Sequence, residues 1–525
     1  MKSLVLASVA VFLLALSANS GRAQTRTRPA YVPNEVLVKF APGVKSNIAN
    51  RTLQFAGAGV LETLGDLGWM RVRVPEGTSV QGAIAGYAGL RDVVAVQPNY
   101  YYRLLDTPND PRFVSGDMYG MLKISAPAAW NLTTGDSAVV VADIDTGMRY
   151  THEDLAPNLW TNPGEIPNNG IDDDGNGFVD DYHGYDFRGD NPFVPSQDGD
   201  PFDQHGHGTH TAGTIGAAGN NGLGVVGVAW TVKIMPIKIF SALANDSTTA
   251  MVINAYNYVR MMKNRGVNIR VTNNSYAGPP ETPTNDQAMK DALDAMGAAD
   301  ILNVFAAGNE SNNNDVNPIY PGSFTSPSIL SVAASDSADN KPGFSNYGPI
   351  SVDLAAPGVV IWSTTFSSDS SYGVMSGTSM ATPHVTGAAA LLSAYNPSLS
   401  AASLKATLIN TVDQLPQWNG VVKSGGRLNI SNAMQHQTVC TYNLASSSIL
   451  VSNKGGFASV DVAAPPNCEF TVMSSSYWIH VYTENLMSGN STVTFRATVN
   501  PTITREGTIT IGGQTFTVRQ SRQMS

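Results

Sequence analysis

Val139-Val-Val-Ala-Asp-Ile-Asp-Thr-Gly147 is an apolar run that closes on a carboxylate and a glycine. A run that is apolar on both faces suits an interior strand of a parallel sheet, where helices cover each side. Residues 232–239, 269–272 and 301–306 read as further strands, and residues 248–263 and 286–296 carry helical spacing. This alternation over residues 106–436 predicts an α/β unit, a parallel sheet covered by helices. In such sheets ligands bind beyond the carboxyl ends of the strands. Asp145 stands at that end of its run.

The flanks have a different texture. Residues 24–105 hold short alternating runs at 35–40, 69–74 and 93–97 with helix-compatible segments between them, which predicts a small α+β unit. From residue 437 to 525 short strands at 457–462, 470–473, 492–499 and 508–520 are separated by Gly, Asn and Ser, predicting an all-β sandwich. Residues 1–23 open with Lys2, an apolar run from Leu4 to Leu16 and a small-residue exit before Gln24. That is the layout of a signal peptide cut after Ala23, so the chain reads as secreted and extracellular. No later run reaches about 20 apolar residues, so no membrane anchor is expected.

Composition narrows the classes further. Hydrophobic residues make up 42% and charged residues 14%, which fits a folded protein and excludes a disordered one. Net charge is −10, distributed unevenly: residues 24–105 hold nine Lys/Arg against five Asp/Glu, and residues 106–436 hold 15 against 32. A basic amino-terminal piece is thus electrostatically complementary to an acidic middle. No basic tract is dense enough for nucleic acid, and the chain reads as a monomer. Cys440 and Cys468 are the two cysteines. In an oxidising compartment they can form one bridge; two separate buried thiols are the alternative.

Three segments carry chemistry: Asp145-Thr-Gly147, His207-Gly-Thr-His210 and Gly377-Thr-Ser-Met-Ala-Thr-Pro-His384. The last leads into a run of small and apolar residues that reads as a buried helix. A serine at a helix start meets unpaired N–H groups and a dipole that favours negative charge. Alone, each segment also fits a turn, a loop or a cap. Together, in the order Asp, His, Ser, they resemble the signature blocks of the subtilisin-like serine proteases, and Asn109-Asp-Pro111 with Ala126-Pro-Ala-Ala-Trp130 resembles the thermitase-like branch. The likeness spans about residues 106–435. It implies a three-layer α/β/α fold and a serine endopeptidase in which Ser379 is the nucleophile, His207 the base and Asp145 its orienter. Phe305-Ala-Ala-Gly-Asn-Glu310 resembles the oxyanion-hole strand, giving Asn309 that role with Ala307 and Gly308 beside the substrate. Asn273-Asn-Ser-Tyr276 resembles the strand that pairs with extended peptide, through Asn274, Ser275 and Tyr276. The chemistry agrees, because serine needs a base within reach and histidine can take its proton near neutral pH. A zinc reading of His205, His207 and His210 lacks the glutamate base of an HExxH site, and His210 reads as a local structural histidine.

Gly170-Ile-Asp-Asp-Asp-Gly-Asn-Gly-Phe-Val-Asp-Asp181 places Asp172, Asp174 and Asn176 at alternate positions before a glycine, as an EF-hand-type loop opens. Asp180 or Asp181 would close the shell. A solvated acidic loop is the alternative. By resemblance, Asp110, Asp154 and Asn221 would ligate a calcium ion, and Asp198, Asp200 and Asp203 would form another site. Calcium is therefore the expected cofactor. Resemblance also makes residues 24–105 an inhibitory prodomain of a zymogen that cuts its own connector around Tyr100–Asp106. Residues 437–525 resemble BACON-like β-sandwich modules, which implies a carbohydrate or glycoprotein partner, with Trp478 read as core. Protein or peptide substrates complete the expected partners.

Overall fold

The computed structural model describes residues 31–101, 107–189, 196–242, 246–278, 286–500 and 504–521, in two units, Met1–Tyr102 and Arg103–Ser525. The expected leader at 1–23 and residues 102–106 of the expected connector lie outside the described residues. In the first unit, Gly59–Leu64, Trp69–Arg73, Tyr31–Phe40 and Val93–Tyr100 form, in that order, an antiparallel sheet. Helices Ser46–Phe55 and Val80–Tyr87 accompany it. Val36, Val38 and Phe40 alternate inward from the first strand and meet Leu53, Met70, Val72 and Tyr87 in the core. Gly59–Leu64 corrects the reading of that stretch as helix-compatible. It is mostly exposed, so it carries no burial pattern to read, and pairing with Trp69–Arg73 decides its state.

The second unit is built on a nine-stranded sheet. Its order is Asp413–Gln414, Gly426–Arg427, Leu354–Pro357, Ile329–Ser335, Leu302–Ala306, Ile269–Asn274, Val140–Asp145, Lys233–Lys238, Tyr185–Asp186. All neighbours run parallel except the outermost pair, Asp413–Gln414 with Gly426–Arg427. Strand order reverses around Val140–Asp145, which every residue of that strand spends buried. Val141, Val271, Val304 and Val332 face one core with helices His207–Gly216 and Thr378–Tyr395. Ala142, Ile144, Ile237 and Phe305 face another with helices Thr249–Asn264 and Gln287–Ala298. Helix, sheet and helix form three layers. Both expected helices on the second face start one residue late, because Thr248 and Asp286 are caps whose side chains accept the Met251 and Met289 N–H groups.

The carboxyl-terminal region is all-β. A four-stranded sheet faces a five-stranded one around Val460, Phe470, Trp478, Phe495, Ile509 and Phe516. Trp478 is only 4% exposed, with the Arg505 guanidinium 4.2 Å over its ring. It is core. The stretch read as one strand over 508–520 is a hairpin, Arg505–Ile511 and Gln514–Gln520, turning at Gly512 and Gly513. Both glycines have positive φ, which reverses the chain where side chains would resist it. Cys440 and Cys468 form a disulfide. Lys405 and Lys423, on the sheet-and-helix side, both pair with Glu469 on the β side, at 2.7 and 2.5 Å. Among the described residues no helix is long and apolar enough to cross a membrane.

Candidate active site

Asp145 ends the central strand at the point where strand order reverses, where an α/β sheet leaves a crevice. It is 1% exposed and accepts the Thr146 N–H at 2.7 Å. His207 opens helix His207–Gly216, and its Nδ1 donates to Asp145 Oδ1 at 2.7 Å. A carboxylate can only accept, so the imidazole carries its proton on Nδ1 and keeps the Nε2 lone pair free. Burial pushes the His207 pKa down, but the charge and hydrogen bond of Asp145, aided by Asp203, outweigh it and leave it raised. The loop before the helix is held by Asp203, a fully buried carboxylate. Asp203 accepts the N–H groups of His205, Gly206 and Thr209 and the hydroxyls of Thr146 and Thr209. Its lone pairs are spent on that cap, which corrects its reading as a calcium ligand. His210 donates through Nε2 to the Ile361 carbonyl, and burial lowers its pKa to about 4, so it is neutral and structural.

Ser379 is the second residue of helix Thr378–Tyr395, whose later turns are buried among Val385, Ala388 and Leu391. Its N–H lies in the turn that has no intrahelical acceptors. Pro383 has no N–H, so the Ser379 carbonyl loses its partner four residues on. The Ser275 hydroxyl fills that gap at 2.9 Å, and the Ser379 hydroxyl donates in return to the Ser275 carbonyl at 3.0 Å. Among the described residues Ser379 Oγ makes no hydrogen bond to His207. Asn309 sits against the same helix start: its Oδ1 accepts the Thr378 N–H at 2.9 Å and the Thr378 hydroxyl at 3.1 Å. With Oδ1 anchored, the amide N–H₂ is the end left to meet a ligand. Gly308, before it, has φ +106°, and a Cβ there would collide with the side chains of Asn346 and Glu310.

Asp143, two residues before Asp145, joins these parts and was not singled out by its sequence context beyond being a charge in an apolar run. It is 1% exposed, accepts Asn273 Nδ2 at 2.8 Å and lies 3.0 Å from the Thr211 hydroxyl. That hydroxyl also lies 2.9 Å from the Gly208 carbonyl. One hydroxyl proton cannot serve two acceptors, and a carbonyl cannot donate. The count closes when Asp143 is a protonated acid. Burial and the Asp145 charge push its pKa well up, against the Asn273 and Thr211 hydrogen bonds.

The residues expected to line the substrate divide. Asn274 turns inward: its amide donates to Thr272 Oγ1 and its carbonyl accepts from Tyr256 and Tyr276. Ser275 holds Ser379 as described. Tyr276, Ala277 and Gly278 line a 270 Å³ cavity with Phe240, Tyr320 and Phe324. Ala307 gives its carbonyl to Asn314 and Asn346, and Gly308 donates its N–H to Thr378 Oγ1.

Asp110, Asp154 and Asn221 are brought together. Asp154 accepts the Asn221 amide at 2.7 Å and Asp110 accepts the Asn220 N–H at 2.8 Å. Both carboxylates are fully buried, and among the described residues neither pairs with Lys or Arg. Burial raises both pKa values. Two buried acids that meet one loop, residues 220–225, without a Lys or Arg partner fit a hard cation. In the acidic loop, Asp180 accepts the Asn169 and Gly170 N–H groups, and Asp181 accepts from Asn162, Asn176 and Tyr258. Neither converges with Asp172 and Asp174. Glu165, which the motif did not include, does.

Comparison with known proteins agrees with this architecture. The Peptidase S8 subtilase family matches residues 136–434, and the fervidolysin N-terminal prodomain matches residues 17–99. Thermitase of Thermoactinomyces vulgaris is 34% identical over 330 residues, 63% of this chain and 100% of that protein. The thermophilic serine proteinase of Bacillus sp. strain AK1 is 30% identical over 454 residues, 83% of this chain and 99% of that protein. A solved protease of Pseudoalteromonas arctica PAMC 21717 aligns with a TM-score of 0.51 at 27% identity, covering 63% of this chain and 99% of that one. A parallel sheet between two helical layers, a prodomain ahead of it and relatives that are serine proteases along most of its length place this chain in the subtilase family, as a subtilisin-like serine endopeptidase.

Proposed function

We propose that the chain is a secreted, self-processing zymogen that hydrolyses peptide bonds through an acyl-enzyme on Ser379. The observation that carries this reading is the Asp145–His207 hydrogen bond, which leaves Nε2 as the free base of the pair. In the proposed reaction the Ser379 hydroxyl swings from the Ser275 carbonyl to Nε2, gives up its proton and attacks the scissile carbonyl. The developing oxyanion is met by the Ser379 N–H and the Asn309 amide. His207 then returns the proton to the leaving amine, and water repeats the sequence on the ester. Tyr276, Ala277 and Gly278 would present extended peptide. Among the described residues the backbone of Tyr276 and Ala277 makes no main-chain hydrogen bond, which suits strand addition.

Asn309→Ala is expected to lower kcat by about 10²–10³-fold with little change in KM, the scale of an oxyanion donor for which subtilisin is the reference case. Steady-state kinetics on a chromogenic peptide check it, and an unchanged kcat removes Asn309 from the reaction. Residues 24–105 act as inhibitor and template in this reading. Sequencing the amino terminus of secreted active enzyme tests processing: a start near Gln24 contradicts it. Calcium would be held by Asp110, Asp154 and Asn221, and in the acidic loop by the Asp172, Asp174 and Asn176 motif, tying loops to the sheet. A glycan partner for the carboxyl-terminal region draws no support from Trp478, which is core.

A further inference from the structure

The acidic loop contains a carboxylate cluster that its motif does not describe. Glu165, Asp172 and Asp174 each bring one oxygen within 4.8 Å of the other two. Glu165 lies outside the acidic run and is 5% exposed. Its Oε1 accepts the Asp174 N–H at 3.1 Å, whereas its Oε2 is buried with no hydrogen-bond partner. An unpartnered carboxylate oxygen costs desolvation energy that nothing within the protein returns. Asp174 Oδ2 accepts the Asn162 amide at 3.0 Å, and its Oδ1 lies 3.2 Å from the Arg265 guanidinium. Asp172 accepts the Asn176 and Gly177 N–H groups at 3.0 and 2.8 Å, one per oxygen, keeping a lone pair on each. Arg265 is thus one cation beside three acids, and it pairs with Asp174, not with Glu165.

We infer that Glu165, Asp172 and Asp174 form a site for a hard divalent cation of calcium's class, with Glu165 as its buried ligand. The all-oxygen donor set suits calcium, which takes several carboxylate and carbonyl oxygens in flexible geometry. The inference rests on the calcium reading of this loop and changes its membership: Glu165 closes the site in place of Asp180 and Asp181, whose oxygens are engaged elsewhere. A cation there fastens a loop whose Phe178 packs on Tyr185, Phe187 and Tyr258 at the edge of the central sheet.

The test uses the full chain carrying Ser379→Ala, so that self-digestion does not confound it. Bound calcium per chain is measured by equilibrium dialysis, and melting is followed with calcium and with EGTA. Glu165→Gln is expected to lose one ion per chain and part of the calcium-dependent rise in melting temperature. Asp174→Asn is expected to do the same and serves if Glu165→Gln does not fold. Asp181→Asn keeps the full complement, and Asp110→Asn loses a different ion, additively with Glu165→Gln. Full calcium binding by both Glu165→Gln and Asp174→Asn overturns the site. Loss in Asp174→Asn with none in a folded Glu165→Gln overturns the role of Glu165 while leaving calcium in the loop. A parent that binds no calcium overturns the calcium reading itself.

Discussion

Ser379→Ala is expected to lower kcat on a peptide substrate by about 10⁶-fold, the scale on which subtilisin is the reference case for loss of its nucleophile. The effect is large because the variant loses covalent catalysis outright, not one stabilising contact. A rate of about 10³–10⁴ over water is expected to remain, since in the proposed mechanism the Asn309 amide and the helix-start N–H would still face the carbonyl. Stability moves little. The hydroxyl gives one hydrogen bond to the Ser275 carbonyl, worth about 1 kcal/mol, and the reciprocal bond from Ser275 to the Ser379 carbonyl survives. Calorimetry and kinetics on the same preparation separate the two. A folded variant with undiminished turnover contradicts the assignment.

Asp145→Asn is expected to lower kcat by about 10⁴-fold, the loss known when a triad carboxylate becomes an amide. An asparagine can turn its N–H₂ toward Nδ1, which then accepts, and the ring's proton moves to Nε2, where the base must be free. The pH profile gives a second, independent reading. In the native chain Asp145 outweighs burial and holds the His207 pKa above its ordinary value. The base form therefore fills only as pH rises through that raised value, and kcat/KM should climb over the same range. Without the charge, burial acts unopposed by Asp145, so the acid limb of the variant should shift to lower pH. An acid limb at the same pH in both proteins would mean that another group titrates there.

The central fold was legible because the decisive strand is buried on both faces, and burial writes itself into sequence as an apolar run. Helix caps at Thr248 and Asp286 were nearly so, being local in sequence. The hairpin at Gly512-Gly513 was not, since strand-like residues continue on both sides of the turn. In the site, residue types and order exposed Asp145, His207, Ser379 and Asn309 through likeness to a family. What stayed hidden depends on meetings between distant segments. Asp143 finds Asn273 across 130 residues, and Ser275 finds Ser379 across 104. Asp203 shows the opposite error: likeness to a family suggested a metal ligand, yet five local and distant donors make it a cap. Pro383 was the one available clue to the Ser275 contact, because a proline inside a helix must free a carbonyl.

The most direct measurement is fluorophosphonate labelling of the processed native chain, followed by peptide mapping. One label per chain is expected, on Ser379, abolished by His207→Ala and by acid that protonates the imidazole. Label on another serine, or no label on folded protein that still cleaves peptides, would contradict it.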